Sequence, residues 1–199
     1  MIEPRRILPA ITRNLTIKRF ALCLVLIGGL CACSHNNDPQ IKADEAQAVY
    51  FATSLVNNGN SNTQSYVGPT INTMDANNTD QTFGLQAQKT AQGTKNYQLM
   101  VLLIYPNNWR LYDSASLINQ DKVTFNVVSR EDGGCINGRC LMREMMAISL
   151  TEDFLIQHAK TGFQVNIHAQ RGGESVLFVP SPYIIGFMDA ADKKSQQGN

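Results

Sequence analysis

The sequence of 199 residues is short of charge: Asp, Glu, Lys and Arg make up 17% of it, against the usual quarter. Asn, Gln, Ser and Thr fill the difference. Trp occurs once and His three times. The 14 Gly and 7 Pro are too few and too scattered for a collagen-like or Pro-rich chain. A hydrophobic fraction of 43% with a net charge of +1 excludes intrinsic disorder. Motifs that carry chemistry are also missing. There is no H-E-x-x-H, no C-x-x-C, no P-loop, no G-x-G-x-x-G, no G-x-S-x-G and no S-x-x-K. The three His (His35, His158 and His168) show no metal-ligand spacing. The acidic pairs Glu131-Asp132 and Glu152-Asp153 have plainer roles, as turn charge and as favourable charge at a helix start. No metal, no cofactor and no enzymatic activity is expected.

What is present begins with the first 33 residues. Arg5, Arg6, Arg13, Lys18 and Arg19 stand against a single acid, Glu3. They precede thirteen uncharged residues, FALCLVLIGGLCA (20–32). As a helix that run spans about 20 Å, short of the ~30 Å hydrocarbon core, so it reads as an export signal rather than a membrane span. It closes on Leu30-Cys31-Ala32-Cys33, which resembles the lipobox of bacterial lipoproteins. The resemblance covers the signal only. It implies cleavage before Cys33 and lipidation of that residue, with a membrane anchor through the acyl chains. Ser34, following the lipidated position, implies sorting to the outer membrane in a Gram-negative envelope, with the domain on the periplasmic face.

Cleavage changes the charge balance. Residues 33–199 carry 12 bases and 15 acids, a net of −3. Such a chain lacks the basic field that neutralises phosphates, so no nucleic-acid partner is expected. With Cys23 and Cys31 in the signal and Cys33 lipidated, Cys135 and Cys140 remain. In an oxidising compartment they read as a disulfide across a tight turn containing Asn137-Gly138, contributing about 2 kcal/mol.

The domain layout is expected to be a signal (1–32), a lipidated Cys with a tether (33–42), a β-rich globular domain (43–188) and a frayed tail (189–199). Residues 43–58 carry both a helical stripe (Ala48, Phe51, Ala52, Leu55, Val56) and an alternating one (Val49, Phe51, Thr53, Leu55). The β-forming composition favours a strand. Further strands are expected at 65–73, 82–88, 97–105, 122–129, 141–150, 163–169 and 175–179, separated by Asn, Gly and Asp turns. The run 97–105 is apolar enough to be buried on both faces. Val123, Phe125 and Val127 should point inward, as should Phe163, Val165 and Ile167. Ser149 with Glu152 fits a capping box for a short helix ended by Gly162. Residues 183–188 should close the core as a short helix or strand. The expected fold is mainly β with one or two short helices, an antiparallel sandwich-like single domain.

Function is less legible than address. The expected role is a non-enzymatic envelope lipoprotein acting through contacts with another envelope protein. The turn 105–113 holds Tyr105, Trp109, Arg110 and Tyr112, residue types that anchor interfaces, and is the candidate binding surface. Arg130, Glu131, Arg139 and Arg143 at the disulfide hairpin form a second candidate. A glycan or small-ligand module using the Trp109 turn is the first alternative, and an enzyme whose site is scattered along the chain is the second.

Overall fold

The computed structural model describes residues 39–194, apart from 58–62, 118–121, 137–138 and 172. The side chains of Asn57, Ile136 and Arg139 are also outside the description. All described residues belong to the unit Asn36–Asn199. The export signal, the lipobox, His35 and the Asn137-Gly138 turn fall outside them.

The chain runs α1 (Pro39–Ala52), β1 (Ser54–Asn57), β2 (Gln64–Val67), β3 (Ile71–Met74), β4 (Asp80–Lys89), β5 (Lys95–Pro106) and β6 (Tyr112–Leu117). It continues with β7 (Phe125–Ile136), β8 (Arg139–Leu150), α2 (Glu152–His158), β9 (Phe163–Ala169), β10 (Ser175–Val179) and α3 (Ser181–Lys193). The fold is mainly β and antiparallel throughout. One sheet has the order β1-β2-β4-β5-β8-β7, with β3 also on β4; the other is β10-β9-β6. The inward side chains of both sheets, with α2 and α3, share one hydrophobic core.

Strand β5 is the spine of the large sheet, pairing with β4 along one side and β8 along the other. It alternates strictly. Tyr97, Leu99, Val101, Leu103 and Tyr105 are buried, whereas Gln98, Met100, Leu102 and Ile104 are half-buried on the opposite face. The expectation of burial on both faces is therefore corrected: the apolar run packs one face against the core. On β7, Phe125 packs on the core, but a bulge between Val127 and Ser129 leaves Val127 and Val128 exposed. On β9, Phe163, Val165 and Ile167 are fully buried, as the alternation requires.

Strands β2 and β3 lie end to end along one edge of β4, broken at Gly68-Pro69-Thr70. The gap is closed by a helix side chain. Tyr183 of α3 accepts from the Leu85 amide (3.0 Å) and donates to the Pro69 carbonyl (2.6 Å). Burial raises the Tyr183 phenol to about 12, against a smaller lowering by the Leu85 amide.

Of the strand expected over 43–58, residues 43–52 are helix and only Ser54–Asn57 is strand, and the helix takes in the last residues of the expected tether. Ala46 is buried and Val49 half-buried where α1 lies on α3; Phe51 points to solvent. Gly186 permits the approach, since a Cβ there would sit 2.1 Å from the Ala46 carbonyl oxygen. Lys194 donates to the Phe51 and Thr53 carbonyls at the end of α1. Helix α3 runs through Lys193, with Ala190 and Ala191 fully buried, so residues 189–193 are helix rather than the expected tail. Helix α2 is capped by Thr151, whose hydroxyl accepts from the Phe154 amide (3.1 Å). Ser149, the expected cap, stays in β8 with its amide bonded to the Thr124 carbonyl. Gly162 ends the turn at φ 75°, its amide on the His158 carbonyl.

The two sheets are also tied by polar groups. Asp75 accepts from the Asn77 and Thr79 amides in the β3–β4 turn and from the Ser175 hydroxyl at the start of β10. Burial alone would raise the Asp75 carboxyl; the hydrogen bonds outweigh it and hold it below the ordinary range. Lys95 at the start of β5 bridges Glu152 of α2 and Asp192 of α3. The disulfide Cys135–Cys140 is present and joins directly paired residues of the β7–β8 hairpin.

Candidate functional site

The turn between β5 and β6 is built around a buried carboxylate. Glu144 of β8 projects into the core at 1% exposure. Its Oε1 accepts from the Tyr105 hydroxyl and the Leu111 amide (3.1 Å). Its Oε2 accepts from the Tyr112 amide (3.1 Å) and the Arg130 Nε (2.8 Å). Arg130 Nη2 also donates to the Tyr112 carbonyl (2.7 Å). A charge this deep is tolerated because it is paired and multiply hydrogen-bonded. Burial and the neighbouring Glu144 push the Tyr105 phenol well above its ordinary value, so it remains a donor.

Arg110 completes the clamp. Its guanidinium lies over the Tyr105 ring at 4.5 Å from the centroid and donates to the Thr79 and Tyr112 hydroxyls (2.6 and 3.1 Å). Asn107 and Leu111 take positive φ to make the turn.

This arrangement alters the reading of the candidate binding surface. Tyr105 and Tyr112 are fully buried, stacked edge to face at 5.9 Å. They are the turn's foundation, not its contact face. Trp109 is half-buried against the core, and Arg110 is committed to Thr79, Tyr112 and the Tyr105 ring. Within 105–113 the exposed residues are Asn107, Asn108 and Asp113. At the second candidate, Arg130 turns inward to Glu144, while Glu131 and Arg143 face each other across the β7–β8 ladder. His158 bonds the Phe154 carbonyl within α2 (2.9 Å) and lies against the Phe154 ring.

A second constellation lies on the outer face of the small sheet. Ser116 of β6 pairs with Asn166 of β9, and Ser114 with His168, so Ser116 and His168 are diagonal neighbours. The Ser116 Oγ is 2.8 Å from His168 Nε2, and His168 Nδ1 is 3.0 Å from Glu174 Oε1. Glu174 immediately precedes β10, opposite His168 when the Ser175–Ile167 register is continued. Lys122 and Asn166 line the same open depression, of about 400 Å³. Sequence reading missed this set because Ser116 and His168 are 52 residues apart. The one signal was His168 on the polar face of an alternating strand.

Among the described residues no three His, Cys, Asp or Glu side chains assemble as a metal site, and no helix is long and apolar enough to cross a membrane. Comparison with family models, curated proteins and solved structures finds no match to this chain.

Proposed function

We propose that this chain is a lipid-anchored envelope protein, held through Cys33 at the periplasmic face of the outer membrane, whose β-domain acts as an interaction or assembly module. The basic segment, the short apolar run and Leu30-Cys31-Ala32-Cys33 support the anchor. From Cys33 to Pro39 the chain reaches at most about 20 Å, so an anchored domain works close to the bilayer. The single observation that carries the contact role is on β10. Val176 and Phe178 stand side by side on its solvent face, 45% and 55% exposed. Exposed apolar side chains that sit together, rather than scattered singly, favour protein contact.

The test places a photo-crosslinking residue at Phe178, and at Asn108 as control, in the full-length protein expressed in intact cells. A discrete adduct from position 178 that is absent from 108, and is lost when Cys33→Ser releases the protein from membranes, is the expected result. Membrane retention of Cys33→Ser refutes the anchor; absence of any adduct at 178 refutes the contact face.

A further inference from the structure

Beyond the contact role and independent of the anchor, we infer that Ser116, His168 and Glu174 form a nucleophilic triad able to hydrolyse short-chain carboxylic esters. This departs from the expectation of a non-enzymatic domain and corresponds to the scattered site that motif reading cannot see.

The geometry has the required order: a hydroxyl on one imidazole nitrogen and a carboxylate on the other, at 2.8 and 3.0 Å. With its proton on Nδ1, His168 donates to Glu174, and Nε2 accepts the Ser116 hydroxyl. Ser116 lies on a strand, and its residue is only 7% exposed, so its oxygen is held in place and little hydrated. His168 stands on the neighbouring strand of the same ladder. Two of the three groups thus sit on rigid elements rather than loops. The depression opens onto all three, and Lys122 and Asn166 supply the cationic and amide donors along its wall.

The chemistry balances without a cofactor. The Ser116 oxygen attacks the acyl carbon as its proton passes to His168 Nε2. The carbonyl electrons move onto the oxygen, which faces the donors of Lys122 and Asn166. Collapse expels the alkoxide, which takes the proton from His168 as the alcohol leaves. Water then repeats the sequence on the acyl-serine ester, releasing the carboxylic acid and restoring Ser116. Glu174 orients the ring and balances the transient imidazolium. Among the described residues the lining side chains are Ser, Asn, His, Lys and Glu, with Ala115 turned to the core, so the depression suits a short acyl chain. The substrate class is therefore an acetyl- to butyryl-sized ester of a polar alcohol.

The test uses the purified full-length protein in detergent micelles. It is treated with a fluorophosphonate probe, and hydrolysis of p-nitrophenyl acetate and butyrate is followed in parallel. A single phosphonyl adduct mapped to Ser116 is expected, with ester hydrolysis falling at least about 100-fold in Ser116→Ala and His168→Ala. Glu174→Gln should also fall, though by less than either, because that residue acts through the ring. Circular dichroism of each variant verifies the fold. The wild-type labelling needs no variant: no adduct on Ser116, or an adduct confined to other residues, overturns the inference. So does hydrolysis unchanged in Ser116→Ala. Either result leaves the anchor and the Phe178 contact face untouched, since those are read by fractionation and crosslinking.

Discussion

The phenol of Tyr183 occupies a place in the β4 ladder that no strand residue fills, 3.0 Å from the Leu85 amide. The edge strand breaks between Val67 and Ile71, and the helix that follows β10 supplies the missing partner. Gly68 and Gly84 make room for it. A Cβ at Gly68 would lie 2.6 Å from the Tyr183 oxygen and at Gly84 3.1 Å. Removing the hydroxyl in Tyr183→Phe leaves the Leu85 amide and the Pro69 carbonyl without that partner. The expected loss is about 2 kcal/mol, a fall in Tm of about 4–8 °C, with the fold retained. A thermal melt checks it.

The buried tyrosines make the domain labile to alkali. Tyr183 is raised from 10.0 to about 12. Tyr97 and Tyr105 are raised as well, by burial first; Glu144 adds to this at Tyr105, while at Tyr97 Lys95 opposes it and Glu152 adds to it. Below pH 10 folded and unfolded chains both hold these protons, and the full stability is present. Above it the unfolded chain gives them up first, so stability falls as pH rises from 10 through 12. Tm measured across that window should drop steadily, with phenolate absorbance appearing late and together with unfolding. Tyrosines that all ionise near pH 10 in the intact fold would contradict this.

At the α1–α3 contact, Gly186 is matched to one backbone oxygen. Gly186→Ala forces its Cβ toward the Ala46 carbonyl, with Val49 Cβ 2.8 Å away, and a backbone cannot yield as a side-chain tip can. Overpacking of this kind costs about 1–3 kcal/mol. The loss should fall on α1, which hydrogen exchange will register as faster exchange over 39–52 with the β-sheet amides protected.

Glu144→Ala removes the acceptor of four donors and leaves Arg130 half-buried without its carboxylate. A loss of about 3 kcal/mol is expected, at the low end for a broken buried pair because Arg130 reaches solvent. Trp109 fluorescence should shift to the red as the turn loosens. Glu144→Gln keeps two lone pairs on one oxygen and should recover part of both effects; equal stability of wild type and Glu144→Ala would refute the clamp.

Strands with one strong signal were legible in advance. The alternation of Phe163, Val165 and Ile167 and the turn-bounded run 175–179 match β9 and β10, and the two Cys pair as their spacing suggests. Residues 43–52 are helical although a short segment rich in Val, Tyr and Phe favours β locally. The partner that stabilises it as a helix, α3, begins at Ser181, 129 residues after α1 ends at Ala52. The small residues Ala46 and Gly186 are informative only once they face each other.

The aromatics mark the turn 105–113 in the sequence, yet what organises it is Glu144, 32 residues beyond Tyr112. The Ser116–His168–Glu174 set was hidden by a finer feature. A bulge between Tyr112 and Ser114 reverses the alternation of β6, so Tyr112 faces the core while Ser114 and Ser116 face out beside His168. Local pattern alone places Tyr112 and Ser116 on one face.

The sequence by itself determined the β-rich class, most strand positions and the disulfide, because each is written in neighbouring residues. Tertiary structure alone decided the helical state of α1, the burial of Tyr105 and Tyr112, and the meeting of Ser116 with His168 and Glu174. Those depend on strand register and on contacts between distant segments, where one bulge or one packed helix reassigns which face a side chain occupies.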